Sequence, residues 1–270
     1  MTQDGPTSVK SDRVGAVRRL ANRSFRHKVG RFLVEGPQAV REAVRWRPGA
    51  IDEVFLADDA ASPARQVADE AAAGGLRVTT VPEPVLLAMT ETVHPQGIAA
   101  VCAFLDDRDP GELLEGARLV AVLHEIRDPG NAGTILRTAD AAGADAVLFS
   151  GDAVDPYNGK CVRSTAGSLF HIPFARIAGL PEVASIVAAA GIQLLATDGD
   201  GPESLPDLRN SGDLSRPTAW IFGNEAHGLP DSAPSDRRVA IPIYGNAESL
   251  NLAAAAGVAL YTTAISQNET

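Results

Sequence analysis

The stretch 118-RLVAVLHEIRDPGNAGTILRTADAAGADAVLFS-150 decides the fold. It opens with RLVAVLHEI, a near-continuous apolar run of the kind that is buried on both faces in a parallel sheet. A turn with glycines and a helix over 131–142 follow, and then comes a second apolar run, ADAVLFS. Because two strands joined by a crossover helix lie parallel, this stretch predicts an α/β domain with a parallel sheet.

Three turns in the second half of the chain follow apolar strands and carry glycine, asparagine or serine. The first is 128-DPGNAG-133, the strand TAWIF runs into 223-GNEAHGL-229, and the strand VAIPIYG runs into 248-ESLNL-252. In open parallel sheets, ligands bind outside the carboxyl ends of the strands. Three such turns in one domain predict one composite pocket, with a polar side chain on each turn.

The first turn has the glycine content of a phosphate-binding loop, but its spacing is different. The chain has no GxxxxGK[ST] element, and GNAG is not GxGxxG, so the sequence argues against a P-loop nucleotide hydrolase. A helix amino terminus still offers free N–H groups and a positive dipole end to an anion. A structural interpretation also stays open, in which Asn131 caps the helix and Gly133 permits close packing on the strand.

The first hundred residues alternate short strand-like and helix-like runs, which predicts a second α/β unit. The charged segment 106-DDRDPGELLEG-116 contains Pro and Gly and is the best candidate for a linker. We therefore divide the chain into a basic segment (1–30), a smaller α/β domain (31–105), the linker (106–116) and a larger α/β domain (117–270).

Charge is distributed unevenly along the chain. The formal net charge of −10 argues by itself against a nucleic-acid partner, because Lys and Arg supply most phosphate binding. Residues 10–31, in contrast, hold eight Lys and Arg residues against a single Asp. This basic segment is either a solvated helix face or a local surface for RNA phosphate, with Arg18, Arg19, Arg23 and Arg26 as the candidate contacts.

Several classes of protein find no support in the sequence. No run approaches the roughly 18 apolar residues that span a bilayer, and the polar start MTQDGPTSVKSDR lacks the centre of a signal peptide, so we expect a cytoplasmic protein without a membrane partner. Two cysteines, Cys102 and Cys161, give neither a disulfide framework nor a metal site. Trp46 and Trp220 are expected in the core, and we find no aromatic stripe for base stacking.

At the three turns, the sequence resembles the SpoU-type, TrmH-like class of RNA ribose 2′-O-methyltransferases of the SPOUT superfamily. The motifs that carry the resemblance are 131-NAGTILRTADAAGAD-145, 221-IFGNEAHGL-229 and 241-IPIYGNAESLNLAAAAGVALY-261. Residues 31–105 resemble, less distinctly, the L30e-like RNA substrate-binding domain of such enzymes. The resemblance implies a carboxyl-terminal α/β domain with a deep trefoil knot, in a protein that forms a homodimer through its knotted domain.

The resemblance also implies S-adenosyl-L-methionine as the cofactor. The contacts that it implies fall at the ends of strands and in the turns that follow, at Thr197, Phe222, Gly223, Asn224, Glu225, Ile241, Ile243, Ser249, Leu250 and Ala255. The residue types agree with this assignment, since the apolar side chains around 241–243 and Leu250 are suited to form the walls of an adenine slot.

The residues that the resemblance implies in catalysis are Arg137, Asn131, Glu225, Ser249 and Asn251. Two roles stay open for Arg137: its guanidinium binds the adjacent phosphate and stabilises the developing 2′-oxyanion, or a deprotonated arginine acts as the general base. We prefer the first, because an arginine side chain keeps its proton at neutral pH. Each of the other four also has a structural interpretation, as a helix cap or an exposed loop residue.

RNA is the partner that the resemblance implies, and Arg163 and Ser164 match a family segment that is associated with phosphate binding. A structured rRNA, of the 23S type, is preferred to tRNA because an amino-terminal substrate domain is present. The alternatives are a tRNA 2′-O-methyltransferase and a catalytically silent RNA-binding or ribosome-assembly protein of the same fold. The presence of all five residues implied in catalysis argues against a silent protein.

Overall fold

The computed structural model describes residues 2–105 and 108–269, so residues 106 and 107 of the predicted linker lie outside the described residues. The described chain divides into two compact units. Unit 1 contains the residues up to 105 together with Asp155–His171, and unit 2 contains residues 108 to 154 and the chain from Ile172 onward.

The described strands are β1 (Thr2–Asp4), β2 (Arg31–Glu35), β3 (Ile51–Ala57), β4 (Val78–Val81), β5 (Ile98–Ala103), β6 (Leu119–His124), β7 (Ala146–Ser150), β8 (Phe174–Ile177), β9 (Gln193–Thr197), β10 (Glu203–Ser204), β11 (Thr218–Phe222) and β12 (Arg237–Ala240). The described α-helices are α1 (Asp12–Arg18), α2 (Arg23–Val29), α3 (Pro37–Trp46), α4 (Ser62–Ala73), α5 (Glu83–Met89), α6 (Pro110–Leu113), α7 (Pro129–Ala141), α8 (Gly159–Ser164), α9 (Leu180–Ala189), α10 (Leu205–Asn210) and α11 (Leu252–Asn268).

Unit 1 is built on a mixed sheet with the strand order β1-β4-β3-β5-β2. β1, β4 and β3 run parallel, whereas β5 is antiparallel to both β3 and β2. Helix α3 begins with Pro37 directly after Gly36, whose φ of 90° suits glycine. Ala39, Val40 and Ala43 of this helix are buried, which gives α3 one apolar face toward the sheet.

The segment Asp155–His171 lies between β7 and β8 in sequence but belongs to unit 1. Tyr157 stacks on Phe104 with ring centroids 4.0 Å apart and planes 4° from parallel, and its hydroxyl donates to the Leu105 carbonyl. Phe170 stacks near Phe32 at 6.2 Å between ring centroids. The predicted domain 117–270 therefore differs from the compact units at this segment, because its aromatic side chains pack in the core of unit 1.

The amino-terminal residues are an integral part of unit 1. Arg26 is 2% exposed, and its guanidinium Nη2 lies 2.6 Å from Asp155 Oδ2. Its Nη1 donates to the carbonyls of Leu20 and Ala21. The structure corrects the prediction that Arg26 contacts RNA phosphate, since a buried guanidinium with these partners is a structural group. The separation of residues 1–30 from the first domain is corrected for the same reason.

Unit 2 contains a sheet with the order β10-β12-β9-β11-β6-β7-β8. Every neighbouring pair in this sheet is parallel. The strands β6, β7 and β11 are almost wholly buried, as continuous apolar runs with helices on both sides require. The predicted α/β fold with a parallel carboxyl-terminal sheet is confirmed.

The end of the predicted linker belongs to the core of unit 2. Residues Pro110–Leu113 form the short helix α6, which Asp109 caps by accepting hydrogen bonds from the Gly111 and Glu112 N–H groups. Leu113 and Leu114 pack in the apolar cluster of this unit. The interpretation of 106–116 as a linker is therefore wrong over its second half, where two leucines follow a capped helical turn.

Helix α11 is apolar around its whole circumference. One side packs against α7, where Gly257 lies opposite Thr138, and the buried side chains include Ala256, Leu260 and Thr263. Thr263 Oγ1 accepts a hydrogen bond of 2.9 Å from the indole N–H of the fully buried Trp220. Over the described residues, none of the helices has the length and apolar character needed to cross a membrane.

Candidate functional site

The carboxyl ends of four adjacent strands of unit 2 bring the three predicted turns together at one edge of the sheet. In the sheet, β12, β9, β11 and β6 are consecutive neighbours, and all four run in the same direction. The turns after β6, β11 and β12 carry the polar residues singled out from the sequence. The predicted composite pocket therefore has the strand arrangement that it requires.

Asp128, rather than Asn131, caps helix α7. The Asp128 side chain accepts a hydrogen bond of 2.9 Å from the Asn131 N–H, and Pro129 occupies the first helical position. The interpretation of Asn131 as a cap is wrong. The sequence carried the signal for Asp128, because Asp followed by Pro is a typical helix start. Asn131 lies in the first turn of α7, where its amide is free to contact the neighbouring turns.

Glu225 joins the turn after β11 to the turn after β6. Its carboxylate accepts hydrogen bonds from the Arg127 N–H at 3.1 Å, the Asp128 N–H at 3.1 Å and Asn131 Nδ2 at 3.2 Å. Partial burial acts to raise the pKa of Glu225, but these hydrogen bonds to the charged form outweigh it and hold the pKa below its ordinary value. Glu225 is thus an ionised clamp on the start of α7, and it orients a backbone turn.

Asn224 fixes the shape of the turn from which Glu225 projects. Its Nδ2 donates to the Glu125 carbonyl at 2.9 Å, and its Oδ1 accepts from the N–H groups of Ala226 and His227. Its backbone also pairs with Gly228 in both directions. Asn224 and Glu225 together hold the second turn against the first: the Asn224 side chain donates a hydrogen bond to it, and the Glu225 side chain accepts hydrogen bonds from it.

Gly223 allows the second turn to close on itself. A Cβ at this position would lie 2.6 Å from the carbonyl carbon of Gly228 and 2.8 Å from Leu229 Cγ. Such distances are too short for any side chain, so the backbone must shift if Gly223 is replaced. By contrast, a Cβ at Gly245, in the third turn, would meet no atom within 4 Å.

Asn251 links the third turn to the first. Its Oδ1 accepts from the Ala253 and Ala254 N–H groups and so caps α11, while its Nδ2 donates to Asn131 Oδ1 at 3.3 Å. The cap interpretation of Asn251 is therefore confirmed, and its side chain also contacts the first turn. Because Asn131 contacts Asn251 and Glu225 at once, one amide connects all three turns.

Two of the residues implied in catalysis make no such contacts. Arg137 lies two turns into α7 and is exposed, and its guanidinium has no hydrogen bond or ion pair within residues 2–105 and 108–269. Ser249 is also exposed and has no hydrogen-bond partner among the same residues. Both side chains are free to meet a substrate.

The segment 241–250, between β12 and α11, has unused backbone groups. Its N–H and C=O groups form no hydrogen bond with any residue that the structure describes. Ile243 and Leu250 expose 38% and 40% of their surfaces in this segment. Backbone groups that lack internal partners must be satisfied by solvent or by a ligand, and here they lie beside exposed apolar side chains. These features fit a nucleoside that is held by backbone contacts between apolar walls.

The remaining residues implied in cofactor binding lie at strand ends or on α11. Thr197, at the end of β9, is half-buried and donates from Oγ1 to the Ile221 carbonyl at 3.0 Å. Phe222 is fully buried, Ile241 follows β12, and Ala255 is half-buried in the first turn of α11.

His124 and Ser150 lie side by side at the ends of β6 and β7. His124 Nδ1 is 3.3 Å from Ser150 Oγ, and burial lowers the pKa of this imidazole despite the nearby Glu125 carboxylate. The described residues contain no group of three or more His, Cys, Asp or Glu side chains placed to hold a metal ion.

The residues predicted to contact RNA lie in unit 1, and the structure separates them into exposed and paired groups. Arg18, Arg19 and Arg23 are exposed, and Arg19 lies over the ring of Phe25, 4.4 Å from its centroid. Arg163 forms an ion pair of 3.2 Å with the buried Glu35. Three of the predicted RNA contacts are therefore exposed and can reach a phosphate: Arg18, Arg19 and Arg23.

Ser164 and Trp46 differ from what the sequence led us to expect. Ser164 is half-buried and its Oγ donates to the Lys160 carbonyl within α8, at 2.9 Å. Trp46 is 57% exposed, so the prediction that it lies in the core is wrong. Trp46 is the last residue of α3 and lies beyond Ala43, the last buried residue of this helix.

Comparison with known families gives matches over two stretches of the chain. The SpoU rRNA Methylase family matches residues 118–261, and the family described as RNA 2′-O ribose methyltransferase substrate binding matches residues 33–107. Among curated proteins, a 23S rRNA (guanosine(2553)-2′-O)-methyltransferase of Bacillus subtilis is 36% identical over 260 residues, covering 94% of this chain and 96% of its own.

Solved structures of similar proteins include two with AdoMet bound. An rRNA methyltransferase from Sinorhizobium meliloti is 33% identical with a TM-score of 0.81, over 97% of each chain. The SpoU methyltransferase AviRb from Streptomyces viridochromogenes is 30% identical with a TM-score of 0.83, over 96% of this chain and 100% of its own. These matches cover nearly the whole chain, and it belongs to the SpoU rRNA methylase family.

Proposed function

We propose that this protein is an S-adenosylmethionine-dependent RNA 2′-O-ribose methyltransferase that acts on 23S-type rRNA. The observation that carries the proposal is the position of Asn131, whose amide bonds to both Glu225 and Asn251 and so joins three turns beside an exposed arginine. A protein with only a structural use for this fold has no need of such an assembly on the helix that carries the exposed Arg137.

The chain is suited to the proposed cofactor. When bound, S-adenosylmethionine supplies an activated methyl group on a sulfonium. Residues 241–250 offer free backbone groups between apolar side chains, and Gly223 and Asn224 hold the turn after β11 in its compact shape. Relatives with AdoMet bound have the same fold over nearly the whole chain, which supports this choice of ligand.

Arg137 acts, in our proposal, on the ribose hydroxyl and its neighbouring phosphate. A guanidinium binds two phosphate oxygens in parallel and stabilises the negative charge that develops on a 2′-oxygen as it loses its proton. The proton leaves to phosphate or water. Asn131 and Glu225 hold the start of α7, so they determine where Arg137 stands; most of the rate acceleration comes from such positioning.

The choice of rRNA over tRNA rests on unit 1 and on the relatives. Residues 33–107 match a substrate-binding family, and the Bacillus subtilis relative is named as a 23S rRNA methyltransferase. The exposed arginines Arg18, Arg19 and Arg23 offer a basic surface on this unit despite the net charge of −10. We infer a cytoplasmic enzyme, because that is the compartment of its substrate.

We also propose a homodimer through the carboxyl-terminal unit, together with the trefoil knot that the family resemblance implies. Val258, Tyr261 and Ile265 lie along one side of α11 and are each more than 40% exposed, and Tyr244 is 90% exposed. A groove of about 440 Å³ runs past Val258 and Tyr244. An apolar helix face of this size is suited to cover itself with a second copy.

The function is tested in two steps. Calorimetric titration with S-adenosylmethionine comes first, followed by transfer of a tritiated methyl group to total RNA from a strain without the enzyme. We expect binding in the absence of RNA and label in the 23S fraction. Binding of the cofactor without methyl transfer to any RNA would favour the silent RNA-binding alternative. Label in the tRNA fraction would show that the substrate is tRNA and not rRNA.

The role of Arg137 is tested by its lysine variant. If the guanidinium makes paired contacts to phosphate, Arg137→Lys loses most of its rate at every pH, because an ammonium is a point charge without the planar fork. Near-native rates for Arg137→Lys would refute this role. A pH–rate profile of both enzymes distinguishes this role from general-base catalysis. If Arg137 were the general base, the lysine variant would have a shifted profile, because the group that titrates would be different.

A further inference from the structure

Trp46 is a large aromatic residue on the surface of unit 1 that core packing does not explain. It exposes 57% of its surface at the end of α3, whereas Trp220, the other tryptophan of the chain, is fully buried. Exposed aromatic side chains often belong to interaction surfaces.

The indole ring of Trp46 is held in place by its neighbours. Its centroid lies 4.9 Å from that of His171, and His171 Nε2 is 3.1 Å from Glu42 Oε2. Glu42 lies one helical turn before Trp46 on α3, and Gly167 packs on it so closely that a Cβ there would be 2.5 Å from Glu42 Cγ. The ring therefore has a defined position, with more than half of its surface toward solvent.

Positive charge lies on both sides of Trp46 in the sequence RWR. Arg45 and Arg47 are exposed. Arg45 Nη2 approaches the Glu70 carboxylate only at 3.4 Å, in an exposed pair that contributes little stability. The Arg47 guanidinium has no hydrogen bond or ion pair within the described part of the chain. Two exposed cations next to an exposed aromatic residue in the chain fit an anionic ligand with flat rings.

A polar pocket lies at the other end of the same helix face. Gln38, two turns before Trp46 on the stripe that includes Glu42, lines a cavity of about 250 Å³ together with His94, Gln96 and Arg163. The helix rises about 12 Å over those eight residues. Gln96 has a φ of 55°, a backbone conformation that residues other than glycine adopt at some energetic cost and often at functional positions.

We propose that Trp46 is a stacking platform for an unpaired base of RNA, with Arg45 and Arg47 contacting the phosphates on either side. Proteins recognise single-stranded RNA by stacking its bases on aromatic rings while cationic side chains follow the backbone. The inference rests on the proposed function, which makes RNA the ligand, and it adds a contact on unit 1 that determines where the substrate lies. The flanking arginines favour RNA as the occupant, because its phosphates carry the complementary charge.

Intrinsic fluorescence tests the platform directly, because the chain has only two tryptophans and one is buried. A ten-nucleotide uridine RNA is titrated into the native protein and into Trp46→Phe, in which only Trp220 still emits. We expect the RNA to quench the native signal and to leave the emission of the variant unchanged. Binding without quenching of the native protein, or no binding of this RNA at all, would overturn the proposal.

Affinities measured by anisotropy of a labelled RNA complete the test. Trp46→Ala is expected to weaken binding about tenfold, as loss of a stacking contact of about 1.4 kcal/mol would do, and Trp46→Phe to weaken it less. Arg47→Gln should lower the slope of log affinity against log salt by about 0.7. Leu87→Ala is the matched control, an exposed apolar residue on a helix that also carries Glu83, and it should bind like the native protein.

Two results would overturn the proposal while the proposed function stands. In one, Trp46→Ala binds the RNA as tightly as the native protein, which itself methylates rRNA. In the other, Trp46→Ala abolishes self-association in sedimentation experiments and leaves RNA affinity intact, so that the platform is a protein contact. If the native protein neither binds S-adenosylmethionine nor methylates rRNA, the proposed function fails instead.

Discussion

Replacing Glu225 with glutamine removes the charge of the clamp at nearly constant size. The carboxylate accepts three hydrogen bonds of 3.1 to 3.2 Å, two of them from backbone N–H groups. A glutamine side chain has a single acceptor oxygen. Its NH₂ group would therefore face at least one of the N–H donors that the carboxylate now accepts from. Because Glu225 is largely exposed, we assign about 1 kcal/mol to each bond and expect a loss of about 1 to 2 kcal/mol.

This loss should appear as local opening of the turn before α7. Hydrogen-exchange mass spectrometry near pH 7 is expected to record exchange about 5 to 30 times faster at the Arg127 and Asp128 amides in Glu225→Gln. Glu182→Gln is the control, since Glu182 also accepts a backbone N–H, from Ala178, elsewhere in unit 2. Unchanged protection at Arg127 and Asp128 would refute the clamp.

The same clamp has a defined pH dependence. Because the folded-state pKa of Glu225 lies below the ordinary glutamate value of 4.5, its stabilisation is complete above that value and is lost as the pH falls through the lowered pKa. The difference in unfolding free energy between native protein and Glu225→Gln should therefore be constant near neutrality and shrink in acid. A difference that grows in acid would contradict the assignment.

Three further predictions concern the site and the cores of the two units. Gly223→Ala should lower S-adenosylmethionine affinity about tenfold or more in calorimetry, because its Cβ meets the Gly228 backbone. Gly245→Ala, with open space around the added Cβ, should bind the cofactor normally. Equal affinities of the two variants would contradict the close approach at Gly223. Asp155→Asn should lower the free energy of unfolding in urea by about 3 to 5 kcal/mol, since it leaves the buried Arg26 without its counter-charge. A change below about 1 kcal/mol would be inconsistent with a buried ion pair. Thr263→Val should cost about 1 to 3 kcal/mol in the same assay by leaving the Trp220 N–H without an acceptor, and native stability would argue against that bond.

Periodicity and turn chemistry were sufficient to predict that unit 2 is an α/β domain with a parallel sheet. Its buried strands are continuous apolar runs, as in TAWIF of β11, and glycine-containing turns separate them from the helices. Short elements escaped prediction, among them α5, α8, α10 and β8, because four to seven residues carry too little periodicity. Residues 12–22 have a helical pattern in the sequence but form α1 and a 3₁₀ turn, with Asn22 capping the separate helix α2.

The order of the chain concealed one feature of the fold. The aromatic residues Tyr157 and Phe170 read as part of the second domain, since the segment Asp155–His171 lies between two strands of its sheet. Only the tertiary contacts reveal that unit 1 needs them. The same contacts explain Arg26, whose partner Asp155 is 129 residues away in the sequence.

For the site, the sequence identified residues but left their contacts open. Asn131, Glu225 and Asn251 do meet, and Glu225 binds the backbone before α7. Side-chain direction on a loop depends on contacts between distant turns, which spacing alone does not give. Trp46 was misassigned for a related reason: its type favours the core, while its place at the end of α3 turns it outward.

The central claim is tested most directly by primer extension on 23S rRNA at low dNTP concentration. The RNA comes from a strain without the enzyme and is treated with purified protein and S-adenosylmethionine. We predict one new stop at a single ribose that requires the cofactor and is absent with Arg137→Ala. No stop with the native protein, or an equal stop with Arg137→Ala, would contradict the account.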